Sequence, residues 1–169
     1  MKLIKATENE IDELLLFYRE VAEKDSPYSR WVYGVYPTDK IIKDHVLNGS
    51  MYFKRQNGLI SSAVAITDQN KSYHGKKWSV LLPDDQVSVL HILAVSPSFQ
   101  TQGIAKETVK SAINLCRLNN KKSVRLDALS LNLPAQHLYE QLGFQKVDSA
   151  FWYAENTDWA TFYLYEFPL

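Results

Sequence analysis

The chain has 169 residues, of which 46% are hydrophobic and 22% charged, the balance of one ordinary globular domain; this excludes a disordered, collagenous or membrane-embedded polypeptide. Lysine plus arginine and aspartate plus glutamate both number 19, so no positive excess exists to hold nucleic acid or an anionic membrane surface. The single cysteine, Cys116, cannot form an internal disulfide, the scattered His45, His74, His91 and His137 do not make zinc spacing, and no apolar run approaches the roughly 18 residues of a membrane span. With nothing like a signal segment near the N-terminus, the expectation is a cytoplasmic protein without metal, folded as one domain over residues 1–169.

From Glu8 to Lys24, Ile11, Leu14, Leu15, Tyr18, Val21 and Ala22 recur at intervals of three and four, which predicts an amphipathic helix. Residues Ser26 to Pro37 set Tyr28, Trp31, Tyr33 and Tyr36 among turn formers, and a second helix follows through Ile41, Ile42 and Val46, closed by Gly49. Ser50 to Arg55 and Leu59 to Thr67 read as an antiparallel pair around Gln56-Asn57-Gly58, because Asn-Gly readily adopts the positive dihedrals of a tight hairpin turn. The polar stretch Asp68 to Gln86, with Tyr73, Trp78 and Asp84-Asp85, is either a functional excursion or an extended hairpin connection. Val87 to Val95 is almost continuously apolar, interrupted at His91, as expected of a central strand covered on both faces. A helix from about Gly103 to Asn119 and a strand from Ser123 to Leu129 then imply a parallel strand pair. A short helix from Leu133 to Leu142, capped by Asn132 and stopped by Gly143, leads to two last strands, Phe144 to Tyr153 and Thr161 to Phe167. The fold class is therefore α+β, a mixed central sheet flanked by helices.

The loop Gln100-Thr101-Gln102-Gly103-Ile104-Ala105 feeds the start of the long helix, where unpaired N–H groups and the helix dipole favour an anion such as a diphosphate. Gly103 and Ala105 leave room for close approach. Neither Gly-Lys-Ser/Thr nor Gly-x-Gly-x-x-Gly occurs, so ATP and NAD lose support.

In this order, Leu93-Ala94-Val95 followed by Gln100-Thr101-Gln102-Gly103-Ile104-Ala105, and then Asn132-Leu133-Pro134-Ala135 with Tyr139 and Gly143-Phe144, the chain resembles the GCN5-related N-acetyltransferase (GNAT) family. The resemblance is most specific from Val87 to Val147 and looser from Met1 to Thr67. It implies acetyl-CoA as cosubstrate, its pyrophosphate on residues Gln100, Thr101, Gln102, Gly103, Ile104, Ala105 and Lys106, and a single GNAT-like domain. It assigns the thioester oxygen to the backbone N–H of Leu93, pairs the backbone of Val95 with the pantetheine, and makes Tyr139 the acid that protonates the departing sulfur. Ala105 stands where many relatives carry glycine.

Transfer to an amine also needs a proton acceptor. His91 is the first candidate, two residues before Leu93 and expected on the same strand face; Asp127 is the alternative, with a structural pair to Arg125 or a neighbouring loop as its plainer role. Asn132 caps its helix and could also bond the pantetheine. Asp84 and Asp85 could attract a cationic substrate, and Trp31, Tyr33 and Tyr36 could wall its pocket. The expected partners are acetyl-CoA and an amine-bearing substrate, with a homodimer left open; nucleic acid and membrane are not expected. A non-catalytic CoA-binding module is the rival reading, and a cysteine thioester at Cys116 has little support because its helix position is a core position.

Overall fold

The computed structural model of the protein describes residues 2–24 and 28–169; Ser26, the first residue of the expected aromatic segment, lies outside them. After a two-residue strand β1 (Ile4–Lys5), too short to leave a periodic signal, the first helix α1 (Ile11–Glu23) enters through a 3-10 turn whose Glu10 carboxylate accepts from Thr7 N–H at 2.9 Å. Leu14, Phe17 and Tyr18 are its buried residues, at the spacing the sequence shows. Helix α2 (Asp39–Leu47) is capped by the Thr38 hydroxyl, which accepts from Ile41 N–H. Strands β2 (Met51–Gln56) and β3 (Leu59–Thr67) form the expected antiparallel hairpin, with Asn57 at φ 53° and Gly58 at φ 81°. Strand β4 (Val87–Val95), helix α3 (Ile104–Leu118), strand β5 (Ser123–Leu129), helix α4 (Leu133–Gln141) and strands β6 (Gln145–Ala154) and β7 (Asp158–Pro168) complete the chain.

The seven strands form one mixed sheet in the order β1-β2-β3-β4-β5-β7-β6, so the last strand inserts between β5 and β6. Helices α1 and α2 cover one face through Leu14, Tyr18, Ile42 and Val46, and α3 and α4 cover the other through Val109, Ile113 and Tyr139. Strand β7 starts three residues earlier than the sequence suggested, because the turn after Ala154 contains no glycine and is instead closed by Asp158 at φ 56°.

Two irregularities shape β4. Its parallel pairing with β5 covers only Val87–Val89 against Ser123–Arg125, after which the strands separate. Against β3, Ala63 faces Ala94 and Ala65 faces His91, so Val64 alone opposes Ile92 and Leu93; Ile92 takes φ 42° in this bulge. The bulge inverts the alternation. His91 stacks on His45 of α2 and Ile92 packs in the α1–α2 cluster, whereas Leu93 packs with Leu90 in the α3 cluster. The expectation that His91 and Leu93 share a strand face is therefore corrected: the extra residue separates them.

Residues 68–86 connect β3 to the adjacent β4 but travel across the sheet to β5, β6 and β7. The connection is held by a buried ion pair. Glu166 accepts from Arg125 Nε at 2.9 Å, from Ser123 Oγ at 3.1 Å, and from both the N–H and the hydroxyl of Ser79, while Arg125 also donates to Val80 O at 2.8 Å. Burial pushes the Glu166 carboxyl up, but the Ser79 and Arg125 bonds outweigh it and hold the group below its ordinary value. Glu166→Ala leaves Arg125 buried without its carboxylate and is expected to cost about 3–5 kcal/mol. Glu166→Gln, which keeps an acceptor oxygen, should cost less; urea unfolding of both variants measures this, and a loss under about 1 kcal/mol in Glu166→Ala would show that Arg125 finds another partner.

Candidate active site

The separation of β4 from β5 opens a cavity of about 1000 Å³. Leu93 and Val95 of β4, Asp127 and Leu129 of β5, and Asn132 and Tyr139 at α4 line it. The peptide edge of β4 is available there. Ser96 N–H bonds Ser61 O of β3 at 3.0 Å, so strand alternation turns the N–H and C=O groups of Val95 and Leu93 away from β3, toward the side that β5 has left. Consistently, Val95 O accepts from the Gln100 side chain at 3.4 Å.

Gly103 is the N-cap of α3, at φ 76°, and a Cβ built there would meet nothing within 4 Å. Two physical demands meet at this position: a left-handed backbone that suits glycine, and open space above the helix start. The side chains of Thr101 and Gln102 donate within the loop, to Gln100 O and Ser98 O, while Gln100 donates to Val95 O of β4 and accepts at Oε1 from Lys24 of the segment after α1 at 2.5 Å. Gln100 reaches the cavity lining; Thr101, Gln102, Gly103, Ile104, Ala105 and Lys106 lie outside it, with Ile104 buried under the helix and Lys106 exposed.

Tyr139 is buried on α4 and packs against Phe144 and Tyr165. It is not the core tyrosine bonded to a carbonyl: among the described residues its hydroxyl has no hydrogen-bond partner, and it lies in the cavity wall. Burial and then the Asp127 charge push its ionisation well above the ordinary tyrosine value, so the proton stays on oxygen at neutral pH. Asn132 caps α4 by accepting from Ala135 N–H through Oδ1, which leaves its amide nitrogen for the cavity.

The carboxylate of Asp127 accepts from Tyr73 of the 68–86 connection at 2.7 Å; Arg125 belongs to Glu166, so of the two structural pairings considered for Asp127 the loop partner is present. His91 Nε2 lies 2.8 Å from Thr67 Oγ1, whose single proton goes to Gln69 O at 3.0 Å. Both bonds form together only when Nε2 carries the histidine proton, which leaves the lone pair on Nδ1.

A family model described as Acetyltransferase (GNAT) family matches residues 11–144. The chain belongs to the GNAT family of acetyltransferases. Among curated proteins, the N-acetylaspartate synthetase of Danio rerio is 36% identical over 64 residues, 38% of this chain and 23% of that protein. The ribosomal protein bS18 alanine N-acetyltransferase of Haemophilus ducreyi is 35% identical over 60 residues, 36% of this chain and 41% of that protein. The matched stretch thus spans less than half the length of either relative. In three dimensions a GNAT acetyltransferase of Streptococcus agalactiae superposes with TM-score 0.78 at 21% identity, covering 99% of this chain and 95% of the other. The yncA acetyltransferase of Salmonella typhimurium, solved with its cofactor acetyl-CoA, superposes with TM-score 0.70 at 15% identity, over 100% and 94% of the two chains.

In this GNAT chain the cavity walls facing away from Gln100 come partly from segments the sequence pointed to and partly from elsewhere. Trp31 and Tyr36 line the cavity, but Tyr33 turns its hydroxyl to Asp39 at 2.6 Å, and Asp84 and Asp85 lie outside the lining. The β6–β7 hairpin supplies Trp152, Asn156, Thr157 and Phe162, which sequence reasoning missed. Their only signal was alternation along β6 and β7, which says that one face is covered without saying by what.

Burial, and next the neighbouring His45, push His91 down to about 4. Its folded value lies below its unfolded one, so the unfolded chain takes the proton first and stability is lost as pH falls from about 6.5 toward about 4. The His91 contribution at pH 5 is expected to be about 2 kcal/mol, read as the difference between wild-type and His91→Gln urea unfolding at pH 7.5 and pH 5. Equal pH dependence in the two proteins would assign the loss to other groups.

Proposed function

We propose that this protein is an acetyl-CoA-dependent N-acetyltransferase that moves an acetyl group directly to a primary amine. The observation that carries the reading is the Tyr139 hydroxyl, protonated, without a partner among the described residues, and in the same cavity wall as the exposed peptide edge of Leu93 and Val95. An inert core tyrosine would have its hydroxyl bonded. The residues fit the coenzyme: a glycine helix start with free N–H groups and open space suits a diphosphate, and an unpaired strand edge suits the amides of a pantetheine arm.

Acetyl-CoA supplies the activated acetyl group as a thioester. The Leu93 N–H is the donor to the acyl oxygen as it gains negative charge. Tyr139 holds the proton that the sulfur takes when the carbon–sulfur bond breaks. His91 accepts the proton the amine nitrogen sheds, at Nδ1; a value near 4 makes it a weak base toward a free amine but adequate for a nitrogen that has become acidic by forming its new bond to carbon. Cys116 is buried with its thiol pushed up by burial, which argues against a covalent cysteine intermediate.

CoA or acetyl-CoA at about 100 times Kd should stabilise the fold by about 2.7 kcal/mol, while ATP and NAD should not raise the melting temperature. Gly103→Glu places bulk and negative charge at the helix start and should weaken CoA binding in a folded protein; unchanged affinity would move the diphosphate elsewhere. Tyr139→Phe keeps the ring, so packing and coenzyme affinity should change little while turnover falls by on the order of 10² where chemistry limits the rate. Wild-type turnover in that variant would assign the sulfur's proton to water. CoA binding without thiol release across an acceptor panel would leave a coenzyme-binding module.

A further inference from the structure

The same cavity contains a carboxylate with no cation. Asp127 is largely buried on β5, and its only hydrogen bond among the described residues is the one Tyr73 donates to Oδ2 at 2.7 Å. No lysine, arginine or histidine of the described residues forms an ion pair with it: Arg125 is committed to Glu166 at 2.9 Å, and Lys24, the one lysine or arginine in the lining, is bonded to Gln100 at 2.5 Å. Tyr36, Tyr73 and Tyr139 come from three separate segments and stand close enough to Asp127 for its charge to oppose their ionisation. Trp31, Trp152 and Phe162 add aromatic wall.

A carboxylate taken out of water is costly unless a positive partner and hydrogen bonds replace its hydration. Here one oxygen is bonded, the other is open, and the described residues offer no cation although an arginine lies two residues away on the same strand. Burial pushes the Asp127 carboxyl up, a cation brought by the ligand would reverse that shift, and aromatic faces around the carboxylate favour a cation over an anion. We propose that Asp127 is the counter-ion for the acceptor's ammonium group, which gives one proton to solvent before its nitrogen attacks the thioester carbon, so that the acceptor is a primary amine on an apolar or aromatic body, with no carboxylate or phosphate beside the amine. This rests on the proposed function for the identity of the ligand as an acetyl acceptor. Tyr73 is then a positioning residue that fixes the carboxylate, and the buried pair of Arg125 and Glu166 fixes Tyr73 by anchoring the connection that carries it.

The test is titration calorimetry of the intact protein, without coenzyme, against a panel of primary ammonium ions graded in size, among them butylammonium, hexylammonium and 2-phenylethylammonium, each paired with its neutral alcohol and its carboxylate analogue. At least one ammonium ion is expected to bind about tenfold or more tightly than its neutral and anionic partners, and to lose that preference in Asp127→Asn, which still accepts from Tyr73. Absence of any ammonium preference across the panel, or a preference that survives in folded Asp127→Asn, overturns the proposal; the wild-type comparison holds even if the variant does not fold. Adding acetyl-CoA separates the two readings. An ammonium ion bound through Asp127 but never acetylated keeps the cation site and removes the acceptor role, whereas acetylation of amines with no dependence on Asp127 keeps the transferase and removes the cation site.

Discussion

Three residue pairs join β4 to β5, and the cavity beside Leu93 and Val95 depends on there being no more. A parallel pair that ran its full length would satisfy the backbone of Leu90 to Val95 and leave a solid sheet. The bulge at Ile92 and the hydroxyl of the fully buried Tyr18, which donates to Ile92 O at 2.9 Å, hold β4 in a path that β5 does not follow. The open edge that results has no neighbouring strand, and Val95 O takes the Gln100 side chain instead. The cavity is thus a consequence of strand geometry before it is a consequence of any side chain.

The second support is the buried cluster of Arg125, Glu166, Ser79 and Ser123, outside the cavity lining. A 19-residue connection with only two short 3-10 turns of its own, at Lys71–Tyr73 and Asp84–Gln86, gains little from local structure, so its path over the sheet is set by where Glu166 and Arg125 grip it. Trp78 lies 4.2 Å from the Arg125 guanidinium and 5.1 Å from Tyr73, ring to ring, which carries that grip toward the cavity. An ion pair that adds little net stability can still determine where a cavity wall stands.

Features encoded locally were legible in the sequence. Helix stripes, the Asn57-Gly58 turn, the Asn132 cap and the Gly103 helix start each depend on a few neighbouring residues, and each appears where its pattern puts it. Features that depend on two distant segments were not. Alternation put His91 beside Leu93, and one inserted residue, recorded in no composition or spacing, turned it to the other face. The choice of Glu166 as partner for Arg125 crosses 41 residues, and that of Tyr73 for Asp127 crosses 54. The part played by the β6–β7 hairpin in the cavity likewise follows from β7 inserting between β5 and β6, a topological fact that periodicity does not express.

The positions of the four tryptophans give the molecule an optical character as well. Trp31 and Trp152 line the cavity, on segments far apart in the chain, whereas Trp78 lies against Arg125 and Trp159 is exposed on the outer side of the hairpin beside Phe151 and Tyr153. Occupation of the cavity would change the surroundings of the first two indoles, reach Trp78 through Tyr73, and leave Trp159 as an internal reference. The chain's own emission spectrum would thereby divide into a part that reports on the cavity and a part that reports only on the fold.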